Sequence, residues 1–108
     1  MIVFPEPPSS NRYWRNFRGR TVKSKEAREY QEAVKLIARK QKLRTGEIGL
    51  HLKWFRKRRA GDLSNRIKVI EDALQGILYR NDSQIVCILA ERHDDPKNPR
   101  VEVEILDP

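Results

Sequence analysis

The stretch Ile48-Gly49-Leu50-His51-Leu52-Lys53-Trp54-Phe55 decides the fold. Ile48, Leu50, Leu52 and Trp54 alternate with Gly49, His51 and Lys53. Successive side chains on a strand point to opposite faces, so this period of two marks a half-buried strand. Downstream the period changes. After a basic loop at Arg56–Gly61, the residues Ile67, Ile70, Ala73 and Leu74 recur at helical spacing. They predict a helix over about Leu63 to Gln75, with Gly76 suited to its C-terminal cap. Ile77 to Gln84 is a connection. The apolar run Ile85-Val86-Cys87-Ile88-Leu89 then opens a strand reaching about Arg92. Past the polar, proline-containing turn His93–Pro99, Val101, Val103 and Ile105 alternate with Arg100, Glu102 and Glu104. This last strand is expected to form a hairpin with the one before it.

Upstream of Ile48, Ser24 has the chemistry of an N-cap, with Glu26 and Glu29 near the positive end of a helix. The helix is expected over Lys25 to Lys42, burying Ala27, Tyr30, Ala33, Val34, Ile37 and Ala38 as one stripe. Arg44-Thr45-Gly46 ends it. Arg12 to Lys25 reads as a basic loop dotted with Tyr13, Trp14 and Phe17. Ile2-Val3-Phe4 is a short first strand, after which Pro5, Pro7 and Pro8 hold the chain extended. The expected order is β-α-β-α-β-β. That is one small α/β (α+β) domain over residues 1–108, with a mixed four-stranded sheet and two helices.

The charge is unevenly placed. From Met1 to Lys68 there are 19 Lys and Arg against 6 Asp and Glu, a net of +13. From Val69 to Pro108 there are 4 against 9, a net of −5. A chain split this way presents a polyanion-binding surface from its first two thirds, and cations that displace counterions from phosphates give salt-sensitive nucleic-acid binding. The single cysteine, Cys87, lies in an apolar run and reads as a small core hydrophobe, which fits a reducing cytoplasm. The N-terminus does not read as a signal peptide, and no window approaches the length of a membrane span.

The densest chemistry lies in Arg56-Lys57-Arg58-Arg59-Ala60-Gly61-Asp62-Leu63-Ser64-Asn65-Arg66-Ile67-Lys68. Between Lys53 and Lys68 there are seven cations and one anion. Asp62 at a helix start has an ordinary reading as an N-cap. A carboxylate among cations also suits a site where a metal is held by the acid and a phosphate by the bases. A hard divalent cation needs further carboxylates, for which Glu71, Asp72 and Asp82 are the downstream candidates. Lys68 and Asp72 are spaced i, i+4 and share a helix face, where the ordinary reading is a surface ion pair. Asp82 has an ordinary reading as a turn residue. His51 and His93 are isolated and carry no assigned role.

Three blocks carry a family resemblance. Gly61-Asp62-Leu63-Ser64-Asn65-Arg66-Ile67-Lys68, then Glu71-Asp72-Ala73-Leu74-Gln75-Gly76, then Asn81-Asp82-Ser83-Gln84-Ile85 are similar to the central signature of the RusA family of Holliday-junction resolvases. Pro7-Pro8-Ser9-Ser10-Asn11-Arg12-Tyr13 looks like that family's N-terminal segment. The resemblance implies a homodimer that binds branched DNA at four-way junctions and makes paired nicks with Mg²⁺ or Mn²⁺. It implies Asp62 and Asp82 as metal-binding catalytic aspartates and Lys68 as a catalytic or DNA-contacting lysine. Ser64 stands where the family usually has a second aspartate, and Asn81 where the first of two paired acids often lies. Ser64 would ligate through its hydroxyl or through water, and Asp72 would supply the missing charge.

On this reading Arg56, Lys57, Arg58, Arg59, Asn65, Arg66, Arg12, Arg15 and Arg18 contact the DNA. Tyr13, Trp14 and Phe17 either stack on unpaired bases or anchor their loop on the core. The alternatives are a non-catalytic protein that binds junction DNA or structured RNA, and a structural protein of the ribosomal kind. The second gives Asp62 and Asp82 no purpose.

Overall fold

Strand β4 (Ile48–Arg56) is the centre of the structure, a computed structural model that describes all 108 residues. Ile48, Leu50, Leu52 and Trp54 are all fully buried, as the alternation requires. The other elements are β1 (Ile2–Pro5), α1 (Ser10–Tyr13), β2 (Trp14–Phe17), β3 (Arg20–Lys23), α2 (Lys25–Ile37), α3 (Leu63–Leu74), β5 (Ile85–Asp94) and β6 (Arg100–Leu106). The main sheet has the order β1-β6-β4-β5, with β4 and β5 parallel and the other neighbours antiparallel. The α+β class and the mixed four-stranded sheet are as the sequence predicts. No helix is long and apolar enough to cross a membrane.

The last two strands do not form a hairpin. They flank β4 on opposite sides, so the Asp95–Pro99 turn steps across the end of the central strand. The Asp95 amide donates to the Arg56 carbonyl at 3.0 Å, fastening the turn where it crosses. The reason is burial. Val101 and Val103 of β6 need a neighbour on each side to leave water, and β1 and β4 supply them. β5 takes the edge, and its run Val86–Leu89 is exposed. Cys87 is therefore an exposed edge residue and not a core one.

α2 ends at Ile37, five residues short of Lys42. Beyond Ala38 the sequence is Arg39-Lys40-Gln41-Lys42, with nothing apolar to hold a helix against the core. The chain is instead drawn away by the Arg44 amide, which donates to the Leu78 carbonyl at 2.9 Å. Ala27, Tyr30, Val34 and Ala38 form the buried stripe, while Ile37 points outward. α3 covers Leu63–Leu74, one residue short of the predicted end.

The basic loop at Arg12–Lys25 is structured. It contains the short α1 and a two-stranded antiparallel hairpin, β2–β3, which forms a sheet of its own. Arg18 and Gly19 make the connection, both with positive φ, 51° and 74°. That is the two-residue turn whose twist matches antiparallel strands.

Candidate nucleic-acid interface and acidic sites

α3 organises the site. Asp62 is its N-cap, as its ordinary reading predicts. Its carboxylate accepts 2.9 Å and 3.1 Å hydrogen bonds from the Asn65 backbone amide and side-chain amide. Gly61, with φ of 90°, aims the loop into this cap, and a Cβ there would meet the Arg66 guanidinium at 3.2 Å. Asp62, Ser64, Asn65 and Lys68 are all exposed, and the last three share one side of the helix. Lys57, Arg58 and Arg59 are exposed on the loop before the cap. The result is a strip of cations with one carboxylate and one hydroxyl along the first two turns.

Two arginines of this stretch face inward. Arg66 lies with its guanidinium 4.1 Å over the ring of the fully buried Trp54 and donates to the Pro7 carbonyl at 2.6 Å. Arg56 is buried too, bonded to Asp94 and to the Gly61 carbonyl. Both shape the loop and present no free charge to a phosphate. Arg56 holds the Asp94 carboxyl below the usual range through their hydrogen bond. Among the cations of the loop, Arg59 leans toward the same Asp94 at 3.6 Å.

Glu6 is a residue that sequence reasoning missed. It accepts from the Trp54 indole at 2.9 Å and from the Lys57 amide at 3.0 Å, and lies 4.0 Å from Arg66. It ties the proline segment to the basic loop. The available signal was a lone acid between Pro5 and Pro7 in a strongly basic region. A groove of about 660 Å³ lies beside this knot and includes Glu6, Arg12, Lys57, Arg58 and Arg66. Asp62, Lys68 and Asp82 do not line it.

The acids do not gather. Asp82 is exposed at the start of a 3-10 turn, and its amide bonds the side chain of Gln75 at the C-cap of α3. The twelve residues of α3 separate Gln75 from Asp62, about 20 Å at the usual rise. Asp62 and Asp82 therefore stand at opposite ends of α3. Glu71 is on the Asp82 side. Burial, and then the charge of Asp82, raise its pKa. Asp72 is occupied as well. It accepts from the Tyr13 hydroxyl at 2.6 Å and pairs with Lys23 at 3.0 Å. These two contacts make it an anchor for the β2–β3 hairpin. No group of three His, Cys, Asp or Glu side chains in the chain is placed to hold a metal ion.

The hairpin sorts its aromatics. Tyr13 is fully buried and Trp14 half-buried, in an edge-on contact with ring centroids 4.8 Å apart. Tyr13 is thus a core residue with no face for a base. Arg12 is paired with Glu26 at 2.8 Å, while Arg15 and Arg18 are exposed near the tip. On the sheet face opposite Leu50 and Leu52, His51 and His93 both bond Glu91, at 2.7 Å and 3.1 Å, and hold its carboxyl below the usual range.

A family model described as endodeoxyribonuclease RusA matches residues 5–106, nearly the whole fold. The chain belongs to the RusA family. RusA relatives named crossover junction endodeoxyribonuclease occur in Escherichia coli (strain K12) and Shigella sonnei (strain Ss046). A third is found in Enterobacteria phage 82. Each is 33% identical over 114 residues, covering 98% of this chain and 92% of the relative. RusA membership favours the nuclease reading over the non-catalytic binding protein.

Proposed function

We propose that the chain is a structure-selective endonuclease that binds four-way DNA junctions and resolves them by paired phosphodiester hydrolysis, in recombination and repair. The observation that carries this reading is the exposed strip of α3. Asp62 caps the helix beside the Lys57–Arg59 loop, and Lys68 lies six residues further on, about 9 Å along the axis. Helical side chains lean toward the N-terminus, so the Lys68 ammonium reaches back toward a phosphate held near Asp62. Lys57, Arg58 and Arg59 hold the backbone without reading sequence. Lys68 stabilises the negative charge that develops on the phosphate oxygens during cleavage.

The activity is inferred to require Mg²⁺ or Mn²⁺, and the active species to be a homodimer. A hard divalent ion takes several oxygen ligands. One protomer does not offer them at one point, since Asp62 and Asp82 are separated by the length of α3. Support for a second copy comes from β5. Val86 and Leu89 are 51% and 53% exposed on an edge strand, with Cys87 and Ile88 exposed between them. An apolar edge of this kind is a template for strand addition. Two-fold pairing of β5 with its copy is antiparallel and sets the start of one strand against the end of the other. It carries Asp82 of one copy toward the end of the sheet where the other copy's Arg56–Asp62 loop leaves.

The test is a labelled synthetic four-way junction beside a linear duplex, with and without Mg²⁺ or Mn²⁺. Paired, metal-dependent nicks in the junction are expected. Retardation of the junction without nicks under any metal would overturn the enzymatic reading.

A further inference from the structure

We propose that the β2–β3 hairpin is a wedge for branched DNA, and that Phe17 at its tip distinguishes a branch point from continuous duplex. The proposal rests on the reading of the chain as a junction nuclease and names the residue that would make it selective.

Phe17 is 50% exposed and lies outside the hydrophobic core. It closes the hairpin opposite Arg20, directly before the Arg18-Gly19 turn. Arg15 and Arg18 stand 5.5 Å and 5.3 Å from its ring centroid. Side chains on one strand alternate, so Arg15, Phe17, Arg20 and Val22 share one face of the hairpin. The opposite face carries Trp14 and Lys23, which contact Tyr13 and Asp72 of the body. The arginine and phenylalanine face is thus turned away from the fold. Between Glu6 and Glu26 the sequence holds no acid.

The ordinary role for such a ring is to stiffen the hairpin through its two cation contacts, a small effect at an exposed site. Two features point further. Arg18 adopts φ of 51°, where asparagine or glycine would be relaxed and arginine is strained. A cation is therefore kept at the tip against backbone preference. The hairpin is also held firmly at its base. Tyr13 bonds Asp72, Ser24 donates through its amide to the Tyr13 carbonyl at 2.9 Å, and the Ser24 hydroxyl donates to the Arg12 carbonyl at 2.6 Å. A four-residue strand spans about 10 Å, so a rigid arm carries the ring that far from the body.

Cations on the arm follow phosphates, and an aromatic tip stacks on a base that has lost its neighbour. Continuous duplex offers no such base, whereas a four-way junction held open at its crossover exposes the last base pair of each arm. The anchor residue Asp72 is one turn from Lys68 on α3, so a wedge seated at the crossover sets the distance from the branch to the cleaved phosphate.

The experiment measures binding of wild type, Phe17→Ala, Phe17→Trp and Arg18→Gln to a four-way junction and to linear duplex of the same sequence. Phe17→Ala is expected to lower the junction-to-duplex affinity ratio at least about fivefold, the loss of one stacked base. Phe17→Trp restores it, and Arg18→Gln weakens both ligands alike. Circular dichroism melts of each variant check the fold. A ratio for Phe17→Ala within about twofold of a junction-selective wild type, on the same scale of one stacking contact, overturns the wedge alone. A wild type without junction preference overturns the wedge together with the reading it rests on.

Discussion

Tyr13 donates a 2.6 Å hydrogen bond to Asp72, joining the base of the basic hairpin to the last turn of α3 across 59 residues of sequence. Burial, with the Asp72 bond and charge adding to it, raises the Tyr13 pKa. The tyrosine thus stays a donor at any physiological pH.

Removing this link tests the structural role of Asp72. Tyr13→Phe is expected to cost about 1 kcal/mol, a typical net hydrogen bond. Asp72→Ala costs more, about 1–3 kcal/mol, because the buried hydroxyl is left without an acceptor. Urea denaturation measures both. Asp72→Asn should leave the Mg²⁺ dependence of junction nicking unchanged. A rise in the metal concentration needed would return Asp72 to the metal site.

Ser64 offers a gain-of-function test. It is exposed two residues after the Asp62 cap, in the first turn of α3, where a carboxylate adds negative charge without a packing cost. Ser64→Asp is expected to shift the midpoint of a Mg²⁺ titration of nicking several-fold lower. An unchanged midpoint would mean that position 64 lies outside the ion's reach.

Exposed and buried arginines separate by salt. Lys57→Ala and Arg58→Ala should each lessen the slope of log affinity against log salt by about 0.9, one phosphate contact apiece. Arg66→Ala is expected to act through stability instead. It uncovers Trp54 and releases the Pro7 carbonyl, a loss of about 2 kcal/mol or more of buried, charge-assisted bonding. Filter binding across a salt series, beside thermal melts, distinguishes the two.

Glu71 makes stability depend on pH. Its folded pKa lies above the usual carboxylate value, so folding favours its protonated form. The benefit is full below the ordinary glutamate pKa and is lost as pH rises through the raised one. Glu71→Gln should therefore melt higher than wild type near neutral pH, with the gap closing as pH falls below about 4. A gap that persists at low pH would assign the effect to packing.

The β5 edge predicts a monomeric variant. Leu89→Lys places a charge on an exposed apolar edge and is expected to abolish self-association while leaving circular dichroism unchanged. Analytical ultracentrifugation reads the first. Loss of junction nicking in the same variant would tie cleavage to the pair, and full activity as a monomer would remove the need for a second copy.

Much of the site was legible because its signals are local. The Asp62 cap needs only the residues that follow it, and the amphipathic period of α3 fixes which side Asn65 and Lys68 occupy. The hairpin was not legible as such. Its turn is Arg-Gly and not the Asn-Gly that announces two positive φ angles. The inward turn of Arg56 and Arg66 was equally hidden, since a run of cations reads as one exposed surface until Asp94, Trp54 and Pro7 are brought beside it.

The sequence by itself determined the strand period of β4, the start of α2, the extent of α3 and the α+β class, because each follows from side-chain periodicity and capping within a dozen residues. Tertiary structure alone decided which strands are neighbours. Nothing in the alternation of β6 says that β4 rather than β5 lies beside it, and that choice put β6 in the core and left Cys87 on an edge. The same holds for the acids. Asp62 and Asp82 are close in a list of motif residues, but a helix of fixed rise holds them at opposite ends, and only the folded chain sets that distance.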